Sequence, residues 1–245
     1  MSDTSHVEHR FHQHHFHTMA QQKAASKFGM WAFIAQEILF FSGLFMAYAS
    51  LRVFYPETFL AAHEYLSWQW GAVNTVVLIT SSLTMALAVR AAQVGDQRQL
   101  KIQLIVTILL ACTFLGVKYV EYTHKIHDCL LPGDYYGLPE RDDAGNLLMD
   151  ENDPTRPRYA EHCTIAREDQ IPGKPALFFA LYFVMTGMHG LHVLIGVGVL
   201  LWIFFRSRRG DFGPKYFSPV EYTGLYWHLV DLIWIFLFPL LYLVK

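Results

Sequence analysis

The stretch Phe28–Leu51, FGMWAFIAQEILFFSGLFMAYASL, carries a single charged residue, Glu37. It is long enough to cross about 30 Å of hydrocarbon, which takes about 20 residues at helical rise. A charged group at that depth costs about 2.5–3.5 kcal/mol on insertion scales, so it usually faces protein or water. We therefore predict a membrane helix that presents Glu37 to the interior of a membrane assembly.

Four further stretches have the length and apolar character of membrane spans: Gly71–Ala92, Ile102–His124, Ala176–Phe205 and Val220–Val244. The composition agrees, because 53% of the residues are hydrophobic and 16% are charged. A soluble domain carries about 25% charged residues. The sequence therefore predicts an all-α membrane protein, a bundle of five transmembrane helices within a domain spanning residues 28–245.

The distribution of basic residues predicts the orientation. Three segments that share one side of a five-span topology contain Arg10, Lys23, Lys27, Arg90, Arg98, Lys101, Arg206, Arg208, Arg209 and Lys215. By the positive-inside rule, that side is cytoplasmic. We therefore expect a cytoplasmic N-terminus, with the C-terminus and the loop 125–174 outside.

Two segments outside the predicted spans differ in character. Residues 1–27 are polar and rich in histidine. We expect a disordered cytoplasmic tail, although histidine-rich tracts also bind metal ions. The loop 125–174 contains eleven acidic and six basic residues. Loops of this length are usually functional or disordered, so docking of a basic partner and a merely soluble loop both stay open.

The three cysteines suggest one disulfide bond. Cys129 and Cys163 lie in the predicted external loop, where an oxidising compartment permits a bridge. Such a bridge stabilises the folded state by about 3–4 kcal/mol in the chain-entropy account, and two free thiols are the alternative. Cys112 lies within an apolar span and is expected to pack in the core.

Polar residues interrupt the predicted spans in four sets: Glu37; Lys118 and Glu121; His189 and His192; and His228, Asp231 and Trp234. A spacing of three residues places side chains on one helix face. Lys118 and Glu121 are therefore expected to form an ion pair near the outer end of their helix. Glu37, His228 and Asp231 lie about eight to eleven residues from the cytoplasmic face, which predicts one buried polar layer.

These histidines do not match the usual haem or metal patterns. His189 and His192 lie on one face of one helix, with no second pair stacked along it, and no Glu-x-x-His motif recurs on two helices as in di-iron bundles. The external loop has no C-x-x-C-H motif for covalent haem. No duplication indicates an inverted-repeat transporter. We expect no metal site and expect the histidines to form hydrogen bonds between helices.

Six segments occur in the order typical of one family: FGMWAFIAQEILFFSGLF, NTVVLITSSLTMALA, GDQRQLK, FLGVKYVEY, MTGMHGLHVLIG and YWHLVDLIWIFLF. The chain resembles subunit III of the haem–copper respiratory oxidases, most closely the cytochrome c oxidase type. In this resemblance Glu37 matches the buried glutamate of the family, and Glu121 falls on its Glu-Tyr motif. The polar partners of the buried glutamate match His189, His192, His228 and Asp231.

The resemblance implies a non-catalytic subunit of a proton-pumping oxidase of aerobic respiration, in the inner membrane of a bacterium. It implies direct packing against subunit I, a neighbouring subunit II, no redox centre in this chain, and haem a and copper in the partner subunits. It also implies support of proton uptake and bound phospholipid in a helical cleft. Structural or cleft-lining roles are expected for His189, His192, Lys118, Glu121 and Trp234. No nucleic-acid partner is expected.

The chain departs from the common form of the family in two ways. That form has seven helices, whereas a polar tail here stands in place of an N-terminal two-helix hairpin that forms one wall of the lipid cleft. The loop 125–174 is also longer than usual, and it would dock a cytochrome c domain or another respiratory complex. Two alternative functions are subunit III of a quinol oxidase and an accessory protein of a nitric oxide reductase system.

Overall fold

The computed structural model describes residues 13–132, 148–149 and 173–243. Within these ranges the helices are α1 (Met19–Phe54), α2 (Pro56–Ala62), α3 (Trp68–Val94), α4 (Gln97–His127), α5 (Pro175–Arg208) and α6 (Ser218–Tyr242), with a 3-10 turn at His63–Tyr65. Five of the helices in the described part of the chain, all but α2, are long and apolar enough to cross a membrane. The prediction of an all-α membrane protein with five spans is confirmed.

The first helix begins earlier than predicted. The hydroxyl of Thr18 accepts a hydrogen bond from the N–H of Gln21 at 3.1 Å and caps α1. The residues that follow are mainly alanine, glutamine and lysine, which are strong helix formers. The expectation of disorder over residues 1–27 is therefore wrong for residues 19–27, which form the first turns of α1. Residues 1–12 lie outside the described residues.

Helices α3 to α6 form a four-helix bundle, and α1 packs at its edge. In the apolar 18-residue stretch of α6, 50% of the residues are buried inside the chain, whereas 17% are buried in the corresponding stretch of α1. The hydroxyl of Tyr48 on α1 donates to the carbonyl of Leu240 on α6 at 2.6 Å. Helices α1, α4 and α6 begin at the end of the bundle that we call the Met19 end. The opposite end, where α3 and α5 begin, is the Phe54 end.

A tight turn connects α3 to α4 at the Met19 end. Gly95 ends α3 with a φ of 88°, a left-handed conformation that glycine adopts at little cost. The carboxylate of Asp96 then accepts from the N–H groups of Arg98 and Gln99, each at 3.0 Å, and caps α4. The GDQRQLK segment thus fixes the antiparallel packing of the two helices.

The loop 125–174 lies mostly outside the described residues, as does Cys163. The bridge between Cys129 and Cys163 and the docking role of the loop therefore stay predictions. Cys112, by contrast, is an exposed free cysteine in the described part of α4. Its expected core position is wrong, because the buried stripe of α4 passes through Ala111 and Phe114 and leaves residue 112 on the outer face.

Helices α5 and α6 approach closely where a glycine faces a tryptophan. A methyl group added at Gly196 would lie 2.7 Å from the ring of Trp227, which is fully buried. Two residues further along α5, a methyl group at Gly198 would meet no atom within 4 Å. The pair of glycines therefore separates the effect of packing from that of helix propensity.

We expect Gly196→Ala to destabilise the protein by about 1–3 kcal/mol, because the added carbon forces the indole of Trp227 out of its site. The matched variant Gly198→Ala should be neutral or slightly stabilising, since alanine favours the helix more than glycine does. The temperature at which the detergent-purified protein aggregates measures both effects. Equal midpoints for the two variants would contradict the close approach of α5 and α6.

Candidate functional site

Glu37 pairs with a histidine on another helix. It lies on the buried stripe of α1 with Ile34, Phe41 and Tyr48, and it is 7% exposed. Its Oε2 atom lies 3.0 Å from Nε2 of His192 on α5. The contact joins the edge helix to the bundle, which gives the isolated acid of the first span a partner inside the same chain.

The hydrogen bonds of His192 fix how many protons the pair holds. Its Nδ1 lies 2.8 Å from the backbone carbonyl of Met188, and a carbonyl can only accept, so Nδ1 carries a hydrogen. The contact between Nε2 and the carboxyl group of Glu37 then needs one more proton. That proton lies on either Glu37 or His192, and in both arrangements the pair is neutral overall. The contact therefore joins two groups that can each carry a proton.

Aromatic side chains enclose this pair. The rings of Phe40 and Phe41 lie 6.4 and 5.3 Å from the imidazole of His192, measured between ring centroids. The hydroxyl of Tyr226 on α6 donates to the backbone carbonyl of His192 at 2.8 Å. The surrounding rings limit the access of water and so strengthen the electrostatic contact between Glu37 and His192.

A second series of polar contacts joins α3 to α6. The three pairs are Ser82 Oγ with His228 Nδ1 at 2.7 Å, Trp227 Nε1 to Ser81 Oγ at 2.9 Å, and Trp234 Nε1 to Thr75 Oγ1 at 3.1 Å. The sequence analysis named His228 and Trp234 on α6 but missed their hydroxyl partners on α3, Ser82 and Thr75. The sequence signal for these contacts is that hydroxyl residues recur at helical spacing on α3. They face the histidine and tryptophan residues that recur at helical spacing on α6.

Glu37, His228 and Asp231, which were predicted to form one polar layer, lie at a similar depth but do not form one hydrogen-bond network. Phe33 packs on Tyr226 and Phe45 on Phe236, so Glu37 lies level with residues 228–230 of α6. The hydrogen bonds nevertheless divide the set, because Glu37 bonds to His192 whereas His228 bonds to Ser82. Asp231 and His189 have no hydrogen-bond partner among the described residues.

Lys118 and Glu121 form the centre of a separate network toward the Phe54 end. The ammonium of Lys118 lies 2.8 Å from Oε2 of Glu121, as their spacing predicted, and donates to the hydroxyls of Tyr242 at 2.8 Å and Tyr182 at 3.3 Å. Both tyrosines donate to Oε1 of Glu121, Tyr182 at 2.8 Å and Tyr242 at 2.6 Å. The network ties α4, α5 and α6 together.

Aromatic rings complete the surroundings of the lysine. The rings of Tyr122, Tyr182, Trp234 and Tyr242 all lie 4.9–5.7 Å from the Lys118 ammonium. Cation–π attraction is strongest in such water-poor sites. Both charges are thus fully engaged, which indicates a structural network.

A surface cavity lies at the Met19 end between α1, α5 and α6. It has a volume of about 320 Å³, and its lining includes Lys23, Trp202, Tyr216 and Tyr222. None of the site residues predicted from the sequence lines it. Across the described ranges, we find no group of three or more histidine, cysteine, aspartate or glutamate side chains arranged to hold a metal ion.

Five membrane spans joined by buried polar pairs from different helices define a multi-pass helical membrane protein. The chain belongs to the cytochrome c oxidase subunit III family, whose model matches residues 4–131 and 172–245. It is therefore subunit III of a haem–copper oxidase, a multi-pass membrane protein that associates with the other oxidase subunits. The resemblance stated from the six segments is confirmed.

Three relatives indicate the range of the family. A cytochrome c oxidase subunit 3 from Thermostichus vulcanus is 30% identical over 217 residues, which covers 88% of this chain and 86% of the relative. A quinol oxidase subunit 3 from Bacillus subtilis is 26% identical, covering 88% of this chain and 85% of the relative. A protein from Aeropyrum pernix named heme-copper oxidase subunit I+III is 28% identical, covering 88% of this chain and 22% of that protein.

The Lys118 network predicts a strong asymmetry between single and double substitutions. Glu121→Gln should destabilise the protein by about 3–5 kcal/mol, because it leaves a buried ammonium without its carboxylate. The double variant Lys118→Met, Glu121→Gln should regain most of that loss, since it removes both charges. Glu64→Gln, at an exposed glutamate, serves as the control.

The measurement for these variants is the temperature at which the subunit dissociates from the purified complex. A double variant no more stable than Glu121→Gln would contradict the view that the unpaired charge causes the damage.

Proposed function

We propose that the chain is the non-catalytic subunit III of a proton-pumping cytochrome c oxidase that transfers electrons from cytochrome c to oxygen. The chain contains no redox centre, and haem a and copper reside in its partner subunits. The identity of 30% to a cytochrome c oxidase subunit 3 across most of both chains supports the choice of donor. The 3.0 Å contact between Glu37 and His192 is the observation that carries the proposed role in proton uptake.

The Glu37–His192 pair acts as a proton-holding site near the entry side of the oxidase. Its two side chains are 10% and 14% exposed, so they lie close to the surface of the subunit. Because a proton can reside on either group, the pair accepts or releases one with little rearrangement. His228 and Asp231 lie at the same depth and extend this polar region into the bundle.

Subunit I is the direct neighbour of this chain in the proposed complex, and subunit II completes it. The protein named heme-copper oxidase subunit I+III supports the first contact, since its name joins the two subunits in one chain. The N-terminus lies in the cytoplasm, and the C-terminus and the loop 125–174 lie outside the bacterial inner membrane. The acidic loop receives a cytochrome c domain or another respiratory complex.

The cavity at the Met19 end is the proposed site of a bound phospholipid. Its wall includes Met19, Gln22 and Lys23, which belong to the helical extension of α1. That extension supplies a wall where the seven-helix form of the family uses its N-terminal hairpin. Lys23 suits a phosphate group, and the indole of Trp202 suits the membrane–water boundary.

A quinol oxidase is the second candidate, because a quinol oxidase subunit 3 is 26% identical over a similar length. The donor depends on subunit II rather than on this chain. The tagged chain, extracted in mild detergent, should co-purify with haem a and a copper-bearing subunit II. An optical spectrum, metal analysis and subunit identification measure this. A subunit II without copper would favour the quinol oxidase, and a colourless preparation without other oxidase subunits would contradict both.

Glu37→Gln should lower the turnover and proton pumping of the purified oxidase severalfold, because glutamine cannot exchange a proton with His192. The haem a content should stay unchanged. Ser42→Ala, on the exposed face of α1, is the control and should retain full activity. Loss of haem a in Glu37→Gln would show that the residue maintains helix packing instead of proton supply.

A further inference from the structure

Three polar side chains in the interior of the bundle have no hydrogen-bond partner among the described residues. They are Asn74 on α3, His189 on α5 and Asp231 on α6, and both polar atoms of each side chain are unpartnered. Asn74 and His189 are fully buried, and Asp231 is 3% exposed. They differ in this from the Glu37–His192 pair and the Lys118 network, where the described contacts satisfy each group.

His189 packs on the indole ring of Trp234, and Asn74 and Asp231 lie close to it along their helices. The ring of His189 lies 5.2 Å from that of Trp234, measured between centroids. Asp231 precedes Trp234 by three residues on the same buried face of α6. Asn74 adjoins Thr75, whose hydroxyl accepts from the Trp234 N–H. Each unpartnered group therefore lies within about one helical turn, a rise of about 5.4 Å, of Trp234 or of its hydrogen-bond partner.

The described groups nearby are already engaged. Ser82 lies beside both Asp231 and His228, with its hydroxyl 2.7 Å from Nδ1 of His228, and its single hydrogen can serve at most one oxygen of the Asp231 carboxylate. Phe114, which packs on both His189 and Trp234, offers no polar atom. A further hydrogen-bond donor and acceptor within the bundle are therefore needed to pair with Asn74, His189 and Asp231.

The free energy of leaving these groups unpaired is large. A buried polar group without a partner costs about 1–3 kcal/mol. An amide both donates and accepts, a neutral imidazole does the same, and a carboxylate accepts. Water serves all three, because a buried water molecule makes about three hydrogen bonds to groups that otherwise lack partners.

We propose that ordered water molecules occupy the bundle interior around Trp234, held by Asn74, His189 and Asp231. This hydrated layer lies between the Ser82–His228 contact and the Lys118 network. The proposal depends on the packing of α3 to α6 and is independent of the electron donor and of the role of Glu37.

Radiolytic labelling of the intact oxidase complex in ¹⁸O-enriched water tests the proposal. Hydroxyl radicals formed from a bound water oxidise the side chains next to it, even where bulk solvent has no access. Trp234 and Trp227 form a matched pair, because both are fully buried and each indole N–H bonds to a hydroxyl group. We expect Trp234 to be labelled severalfold faster than Trp227. Equally slow labelling of the two would overturn the proposal.

A double variant provides the second measurement. Asn74→Leu with His189→Phe replaces two of the three water ligands with apolar side chains of similar size. The labelling rate of Trp234 should then fall to that of Trp227 in the same complex. An unchanged rate at Trp234 would overturn the assignment of these residues as ligands. If the variant fails to assemble, the comparison of the two tryptophans in the unmodified complex still decides.

Discussion

Hydrocarbon offers no hydrogen bonds, so a polar group on a membrane helix needs a partner from the protein or from water held within it. This constraint bears on how the five membrane-spanning helices meet. Glu37 and His192 hold α1 against α5, the hydroxyls of α3 bind the indoles and histidine of α6, and Lys118 with Glu121 joins α4 to α5 and α6 through two tyrosines. The hydrophobic effect does not drive membrane helices together, because lipid tails are as apolar as the side chains, so close packing and hydrogen bonds do so instead. The polar pairs therefore supply much of the register.

The two buried charged sites differ in what they can do. The Lys118 network has a carboxylate, two hydroxyls and four rings around one ammonium, so its charges are fixed in place. The Glu37 carboxyl group and the His192 imidazole lie 3.0 Å apart near the surface of the subunit, and each can bind a proton. The first is suited to keep helices together, and the second is suited to exchange a proton. Both functions fit a subunit that supports an oxidase.

The spans and the Lys118–Glu121 pair could be predicted because they depend on local spacing along one helix. The family resemblance named four candidate partners of Glu37, but the choice of His192 among them could not be predicted, since depth along the membrane is readable from the sequence and the rotation of each helix is not. The same limit explains the wrong prediction for Cys112. Its position in an apolar span suggested the core, but it lies on the outer face of α4. The early start of α1 followed from capping by Thr18, a local signal that the polar character of the tail obscured.

The central claim is that the acid of the first span, Glu37, finds its partner within the chain, in His192 of another helix. A cryo-EM structure of the intact oxidase, at a resolution that defines side chains, tests it most directly through the Glu37–His192 contact. The account predicts that Oε2 of Glu37 stays within hydrogen-bond distance of Nε2 of His192, near the 3.0 Å observed. A Glu37 side chain turned toward a neighbouring subunit, with His192 bound elsewhere, would contradict it.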